Sequence, residues 1–352
     1  MKFIETDTHI EQAAYFTGHA SIEQLLFFDI ETTGFAAVAT KLYFIGCMYY
    51  KDHSWKIGQW FNDDGASECA MLTEFTDFIQ QFRYFVHFNG DGFDIPYIHQ
   101  KCEHYNIIFN TKNIQSIDLY KWIRPYKKLL SLPNLKLKTI ETFLGIDRTD
   151  TYSGGELIAV YDRYLQTGDE NLFSLLFQHN YEDIKNMLYI SDIAYYKDFF
   201  EGNVSDIQYT SEADAVKISF QASLPKKLAL TKQRVTLTAN TKEAVIKIPL
   251  YRGELRLFFE NYKDYFYLPV EDTAIHKSVA VYMDKDYRRR ATKDTCYQRV
   301  NGSFLPSFDY PAEKTYGASY KERHSFLDTA LIEETGFSLA EYTAALLKWF
   351  TK

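Results

Sequence analysis

The stretch from Leu25 to Phe35, "LLFFDIETTGF", restricts the folds open to this chain more than any other. An apolar run that should form a buried strand ends in two carboxylates, Asp29 and Glu31. Side chains alternate across a strand, so residues two apart share a face. Asp29 and Glu31 therefore project together with Phe27 beneath them, while Phe28 and Ile30 pack on the other face. Two like charges about 6–7 Å apart in a low-dielectric rim repel each other and resist desolvation. A divalent cation relieves both problems. For a bare Asp-x-Glu the plainer account, two solvated acids at a strand end, is the better one.

Three neighbouring features change that balance. "TTG" follows directly, and small polar residues with a glycine let a backbone approach a ligand closely. "VHFNGDGFDIPYI" sets Asp94 just after a short strand and a loop, where it can cap a helix and join the same sheet edge. "FQHNYEDIKNML" carries His179 and Asp183 four apart, hence on one helical face, in a stripe that continues through Leu176, Met187 and Ile190. A carboxylate in an apolar stripe needs a partner, and a shared cation is one. A lone histidine on a helix is more often surface or satisfied core, but His179 lies one turn before Asp183, at a spacing suited to proton transfer. Four acids from separate segments make an oxygen cradle suited to two Mg²⁺ or Mn²⁺ ions, and paired cations serve phosphodiester hydrolysis.

The surrounding pattern predicts the sheet that holds them. Residues 25–31, 41–50 and 54–61 read as three antiparallel strands, followed by a helix over 67–82, a strand at 84–88, a helix over 94–105 with Asp94 as its N-cap, and a strand at 115–120. Helices run on to about Phe200. A meander followed by alternation predicts an α/β mixed sheet flanked by helices. After "EGNVSD" the chain turns into short strand-like runs ("AVKISFQ", "RVTLTAN", "AVIKIPL", "ELRLFFE", "DYFYLPV") and ends in a helix over 338–350, with Leu339, Tyr342, Leu346 and Trp349 at packing spacing. The expected division is 1–205 and a β-rich 206–352.

With these segments in view, the chain resembles the DEDD superfamily of 3′-to-5′ exonucleases, which have the ribonuclease H-like fold. "FFDIETTG", "FNGDGFDIPYI" and "HNYEDIKNM" look like its three motifs in order. The linking segment "SIDLYKWIRPYKKLLSLPNLKLKTIETFLGIDRTDTYSGGELIAVYDRYLQTGDENLFSLLFQHN" is similar to that of the bacterial YprB-type ribonuclease H-like family. The resemblance covers about residues 22–200. It implies that Asp29 bridges two cations, that Glu31 and Asp183 complete the nucleophile-activating site, that Asp94 supports the second, and that His179 is the candidate general base. Thr32 and Thr33 would lie near the terminal nucleotide, and Asn89 would shape the site. One departure stands out: the superfamily carries Tyr four residues before the last Asp or His five before it, whereas here position 178 is Gln and the His occupies the Tyr spacing. The identity of the base stays open on sequence; Tyr181 is a poor substitute because it lies on a different helical face.

Charge fits a polyanion partner only in part. The net charge is −8, but residues 207–352 hold 22 Lys and Arg against 18 Asp and Glu, a balance of +4, which leaves −12 for residues 1–206. Within the basic half, Arg288, Arg289, Arg290 and Lys293 cluster near Tyr287 and Tyr297, a combination suited to phosphate contact and base stacking; a solvated basic turn diluted by Asp284, Asp286 and Asp294 is the equal alternative. The 17% aromatic content, with 28 Tyr and 28 Phe, serves core or stacking alike. No apolar stretch approaches the roughly 18 residues of a membrane span. The N-terminus lacks a signal-peptide core, and the four cysteines lack CxxC spacing. These features predict a cytoplasmic protein with reduced thiols. The expected activity is a metal-dependent 3′-to-5′ exonuclease acting on DNA or RNA, with a helicase as a candidate partner. The rivals are a non-catalytic nucleic-acid-binding or helicase-associated module of the same fold, and an endonuclease of that fold.

Overall fold

The computed structural model describes all residues except Glu11, Ala13, His19, Ala20 and Thr335, and divides into two compact units, Met1–Lys197 and Asp198–Lys352. The first unit is built on a six-stranded sheet. Its strands are β1 (Lys2–Thr8), β2 (Leu25–Thr32), β3 (Leu42–Lys51), β4 (Ser54–Phe61), β5 (Tyr84–His87) and β6 (Gln115–Asp118), in the spatial order β1-β4-β3-β2-β5-β6. The first four pair antiparallel, and β5 and β6 join parallel to β2. This is the ribonuclease H-like mixed sheet expected, with one correction: the antiparallel part has four strands, because β1 pairs with β4 at the edge. "KFIETDT" alternates partly buried with exposed residues and interleaves charges, the pattern of an edge strand rather than of a core run.

The helices are α1 (Glu68–Phe78), α2 (Asp94–His104), α3 (Leu119–Ile123), α4 (Leu137–Leu144), α5 (Gly154–Thr167), α6 (Glu170–Ile190) and α7 (Ala194–Glu201). Apolar side chains cover both faces of the sheet. Leu26, Phe28, Ile30, Ile45 and Cys47 pack with Met71, Leu72 and Phe75 of α1 and Ile98 and Cys102 of α2. Tyr43, Phe44 and Phe61 pack with Leu157, Tyr161 and Tyr164 of α5 and Leu176 of α6. β2 is thus buried on both sides until Asp29, which explains its unbroken apolar run.

One glycine sets how close α6 lies to the sheet. Gly46 of β3 is the cross-strand partner of Asp29. A Cβ there would overlap the Asn180 side-chain oxygen and come within 2.8 Å of Ile184 Cγ1. On the next strand Gln59 pairs with Gly46 and donates from Nε2 to Asn180 Oδ1 (2.8 Å) and to the Phe177 carbonyl (3.2 Å). Bare backbone at Gly46 and this amide clasp seat α6 over the end of β2.

The second unit is β-rich. A five-stranded antiparallel sheet has the order β7-β8-β11-β10-β9, from β7 (Ser205–Ser211), β8 (Ala215–Gln221), β9 (Leu228–Lys232), β10 (Val235–Ala239) and β11 (Glu243–Pro249). A small closed barrel is made from Tyr251–Phe258, Tyr297–Pro306, Tyr316–Gly317 and Phe326–Asp328, and a three-stranded sheet from Tyr265–Leu268, Thr273–His276 and Arg289–Arg290. The last helix, Leu339–Thr351, buries Tyr342, Thr343, Leu346, Leu347 and Phe350. Tyr342 and Leu346 belong to the expected packing stripe, whereas Leu339 and Trp349 are only partly buried.

Candidate active site

The acids of β2 lie where the sheet runs out of ladder. The parallel pairing of β2 with β5 ends at Phe27 and Val86, so the Ile30 N–H needs another acceptor. Asp94 Oδ1 supplies it at 3.2 Å. Asp94 is the first residue of α2 and Phe93 its N-cap, a correction to the expected cap. The carboxylate thus caps a strand end from a helix start. Burial is the main cause that pushes Asp94 up to about 7. Asp29 stands well above the usual carboxylate range, raised by burial and then by the charges of Asp94, Glu31 and Asp183. Glu31 is also raised, chiefly by burial.

From the other side α6 delivers His179 and Asp183. His179 Nε2 lies 3.3 Å from Glu31 Oε1 and 3.4 Å from Asp183 Oδ2, and Nδ1 lies 2.7 Å from Asp150 Oδ2. Burial works against the imidazolium, but contact with Glu31 and the charge of Asp183 outweigh it and push His179 up to about 9. Asp29, Glu31, Asp94, His179 and Asp183 therefore meet at one end of the sheet. Tyr181 turns away, with its hydroxyl 2.8 Å from Thr8 Oγ1, and Gln178 donates to Glu182 Oε1 at 2.7 Å.

Sequence reasoning missed a charged strap. Gly145, left-handed at φ 79°, ends α4 and starts the turn that brings Arg148, Thr149 and Asp150 over α6. Glu182 anchors the strap by accepting from the backbone N–H of Thr149 (3.2 Å) and Asp150 (2.9 Å) and from the Thr149 hydroxyl. Arg148 is 8% exposed and donates to Glu141 Oε1 (3.1 Å) and Asp150 Oδ2 (3.0 Å). It also forms an ion pair with Asp183 Oδ1, an atom that makes no well-directed hydrogen bond. Glu141 in turn accepts from Asn186 Nδ2 at 2.9 Å. The sequence holds one clue: "GIDRTD" places three charges in a loop just past a helix-ending glycine, where no periodicity says which way they point.

The remaining expected residues are less converged. Thr32 donates to the Gly34 carbonyl (2.9 Å), and Thr33 Oγ1 accepts from the Lys41 N–H (2.8 Å), so both hydroxyls also brace the turn after β2. Asn89 is exposed and left-handed at φ 66°, held by its N–H to Asp118 Oδ1 (2.9 Å). Arg288, Arg289, Arg290 and Lys293 lie in the second unit. The Arg288 and Arg290 guanidinium groups stand 4.9 and 4.7 Å from the Phe266 ring centre, and Arg289, Arg290 and Lys293 are exposed. Tyr287 is exposed, but Tyr297 is 4% exposed and donates to Asp272, which removes it as a stacking surface.

The donor set suits a hard cation. Glu31, His179 and Asp183 each bring one ligand atom within 4.8 Å of the others. The carboxylate oxygens and the raised Asp29 and Asp94 fit added positive charge. His87, Asp91 and Asp118 form a second group of similar spacing, but its members already engage Gly90, Ser116, Lys121 and Asn89.

Residues 26–195 match the model of a family described as the RNase_H superfamily. No curated protein matches the chain in sequence. Among solved structures, the family B DNA polymerase from the hyperthermophilic archaeon Pyrobaculum calidifontis is similar at 11% identity and a TM-score of 0.38, over 68% of this chain and 35% of that one. A zinc-bound E. coli ExoI–ssDNA complex is similar at 10% identity and a TM-score of 0.31, over 92% of this chain and 69% of that one. The chain thus aligns with about a third of the polymerase's length. Among the described residues, no helix is long and apolar enough to cross a membrane.

Proposed function

We propose that the chain is a divalent-cation-dependent nuclease of the DEDD type, removing nucleotides from the 3′ ends of DNA or RNA, and that it belongs with the YprB-type ribonuclease H-like proteins. The observation that carries this reading is the meeting of Asp29, Glu31, Asp94 and Asp183, from two strand positions and two helices, with His179 among them. Asp29, Glu31, Asp94 and Asp183 would hold the cations, Mg²⁺ or Mn²⁺, which supply charge neutralisation at the phosphate and a more acidic water. The chain's own part is to place the phosphodiester and to move a proton. His179 Nε2 accepts the proton of the attacking water as its oxygen bonds to phosphorus. The bond to the 3′ oxygen of the preceding nucleotide breaks, and that oxygen takes a proton from solvent. Were Glu31 and Asp183 to hold cations, their pull on the imidazole proton would weaken, which favours Nε2 as the acceptor while Asp150 stays on Nδ1. Thr32, Thr33 and Asn89 would line the terminal nucleotide. The second unit, with Arg288, Arg289, Arg290 and Lys293, would guide the strand.

A second reading, a nucleic-acid-binding or helicase-associated module without turnover, is favoured by one observation. Arg148 on Asp183 and His179 on Glu31 already supply counter-charge to two of the acids. Linear and circular single strands, DNA and RNA, incubated with the purified chain in Mg²⁺ or Mn²⁺ and in EDTA, separate the readings. Shortening of linear strands alone, lost in EDTA, supports the exonuclease. Cutting of circles converts it to an endonuclease, and tight binding without any cleavage favours the module.

A further inference from the structure

The Asp150–His179 contact gives the second nitrogen of the imidazole a fixed partner. Asp150 Oδ2 lies 2.7 Å from His179 Nδ1. A carboxylate only accepts, so Nδ1 carries the hydrogen. Both side chains are buried, at 3% and 5% exposed. Arg148 Nη2, a donor only, lies 3.0 Å from the same Asp150 oxygen and 3.4 Å from Nδ1; the shorter contacts, Arg148 to the carboxylate and Nδ1 to the carboxylate at 2.7 Å, place both donors on Asp150. Lys138 Nζ is a third donor to that oxygen at 3.3 Å. Glu182 holds the strap's backbone. With Nδ1 occupied, Nε2 is the nitrogen that faces Glu31 and Asp183.

We propose that Asp150 is the positioning residue for His179: it keeps the imidazole protonated at Nδ1 and rotated so that Nε2 faces the carboxylate cluster. The proposal rests on the nuclease reading for its consequence, though not for the contact itself. A third group that orients a base and selects its tautomer is a recurrent arrangement in proton-transfer sites.

Two measurements on the full chain test it. In metal-free, ring-¹⁵N-labelled protein, an exchange-protected N–H resonance that His179→Gln removes is expected, and it should shift or vanish in Asp150→Asn. In steady-state cleavage of a short 3′-exposed strand with Mn²⁺, Asp150→Asn should lower kcat by about a hundredfold with KM within about twofold. The pair Asp150→Asn with His179→Ala should be no slower than His179→Ala alone, as for residues that act as a unit. An unmoved resonance, an unchanged kcat, or a double variant slower by the product of the single losses overturns the proposal. If Asp150→Asn melts below the assay temperature, the wild-type and Asp150→Glu spectra decide, and absence of the protected signal from both overturns it. If the wild type cleaves nothing, the nuclease reading fails, while the resonance still decides the pairing.

Discussion

At the residue scale the site is an excess of buried negative charge held by two cationic side chains, His179 and Arg148. Titration of the metal-free protein should expose it. Asp94, whose carboxyl is raised to about 7, binds a proton in the folded state that the unfolded chain has released above its ordinary range near 3.8. Stability should therefore fall as pH rises between those values. His179, raised to about 9 from 6.5, contributes stability that is complete below 6.5 and is lost as pH climbs through 9. Both effects have the same sign, so melting temperature in EDTA should decline from about pH 4 to pH 9. Asp94→Asn should flatten the acid limb, and a flat wild-type profile contradicts this account. Arg148 gives a second residue-scale test. Arg148→Ala would remove the guanidinium shared by Glu141, Asp150 and Asp183, leaving them Asn186, His179 and Lys138, and should cost about 3–5 kcal/mol in urea unfolding of the metal-free protein. A loss under about 1 kcal/mol, the level of a surface pair, would show that water already screens these charges.

At the element scale the site depends on where α6 lies. Gly46 lets it approach, Gln59 and Asn180 hold it, and Asp183 and His179 ride on it. Gly46→Ala should force α6 off the sheet, at about 1–3 kcal/mol of stability. It should also lower cleavage about tenfold or more, since small misplacement of reacting groups is costly. Wild-type stability and rate in that variant would show that the approach is not needed. Much of this frame was legible in the sequence. Leu25–Thr32 announced a buried strand because both its faces are covered, and the spacing of His179 and Asp183 placed them on one face of α6. Edge strand β1 was not read, because its apolar residues alternate with charges and Phe3 remains 44% exposed. The sequence places Asp94 at the same sheet edge and as a helix cap, because an acid stands two residues before Pro96; the structure makes Phe93 the cap and gives Asp94 the Ile30 N–H, 64 residues earlier, as its donor. Arg148 and Asp150 stayed hidden because a loop has no period, and nothing local says that Glu182 will fold it onto α6.

At the scale of the whole molecule the charge is divided, −12 before residue 207 and +4 after it. Composition alone could not say which basic residues are free, and burial of Tyr297 removed one of the aromatics that made the 288–297 segment look like a stacking surface. Arg289 and Arg290 are exposed, and they are the residues we propose for phosphate contact. Their double replacement by alanine should weaken binding of single strands of any sequence and reduce the slope of log Kd against log salt by about 1–2. An unchanged slope would remove this segment from the nucleic-acid path.

In the function we propose, the carboxylate cluster at the end of β2 performs phosphodiester hydrolysis. The most direct measurement follows a 5′-labelled single strand with wild-type and Asp29→Ala chains side by side in Mn²⁺. The wild type should give a ladder of products shortened from the 3′ end, and Asp29→Ala should leave the strand intact at equal protein stability. Intact strand with both chains, or the same ladder with both, would contradict it.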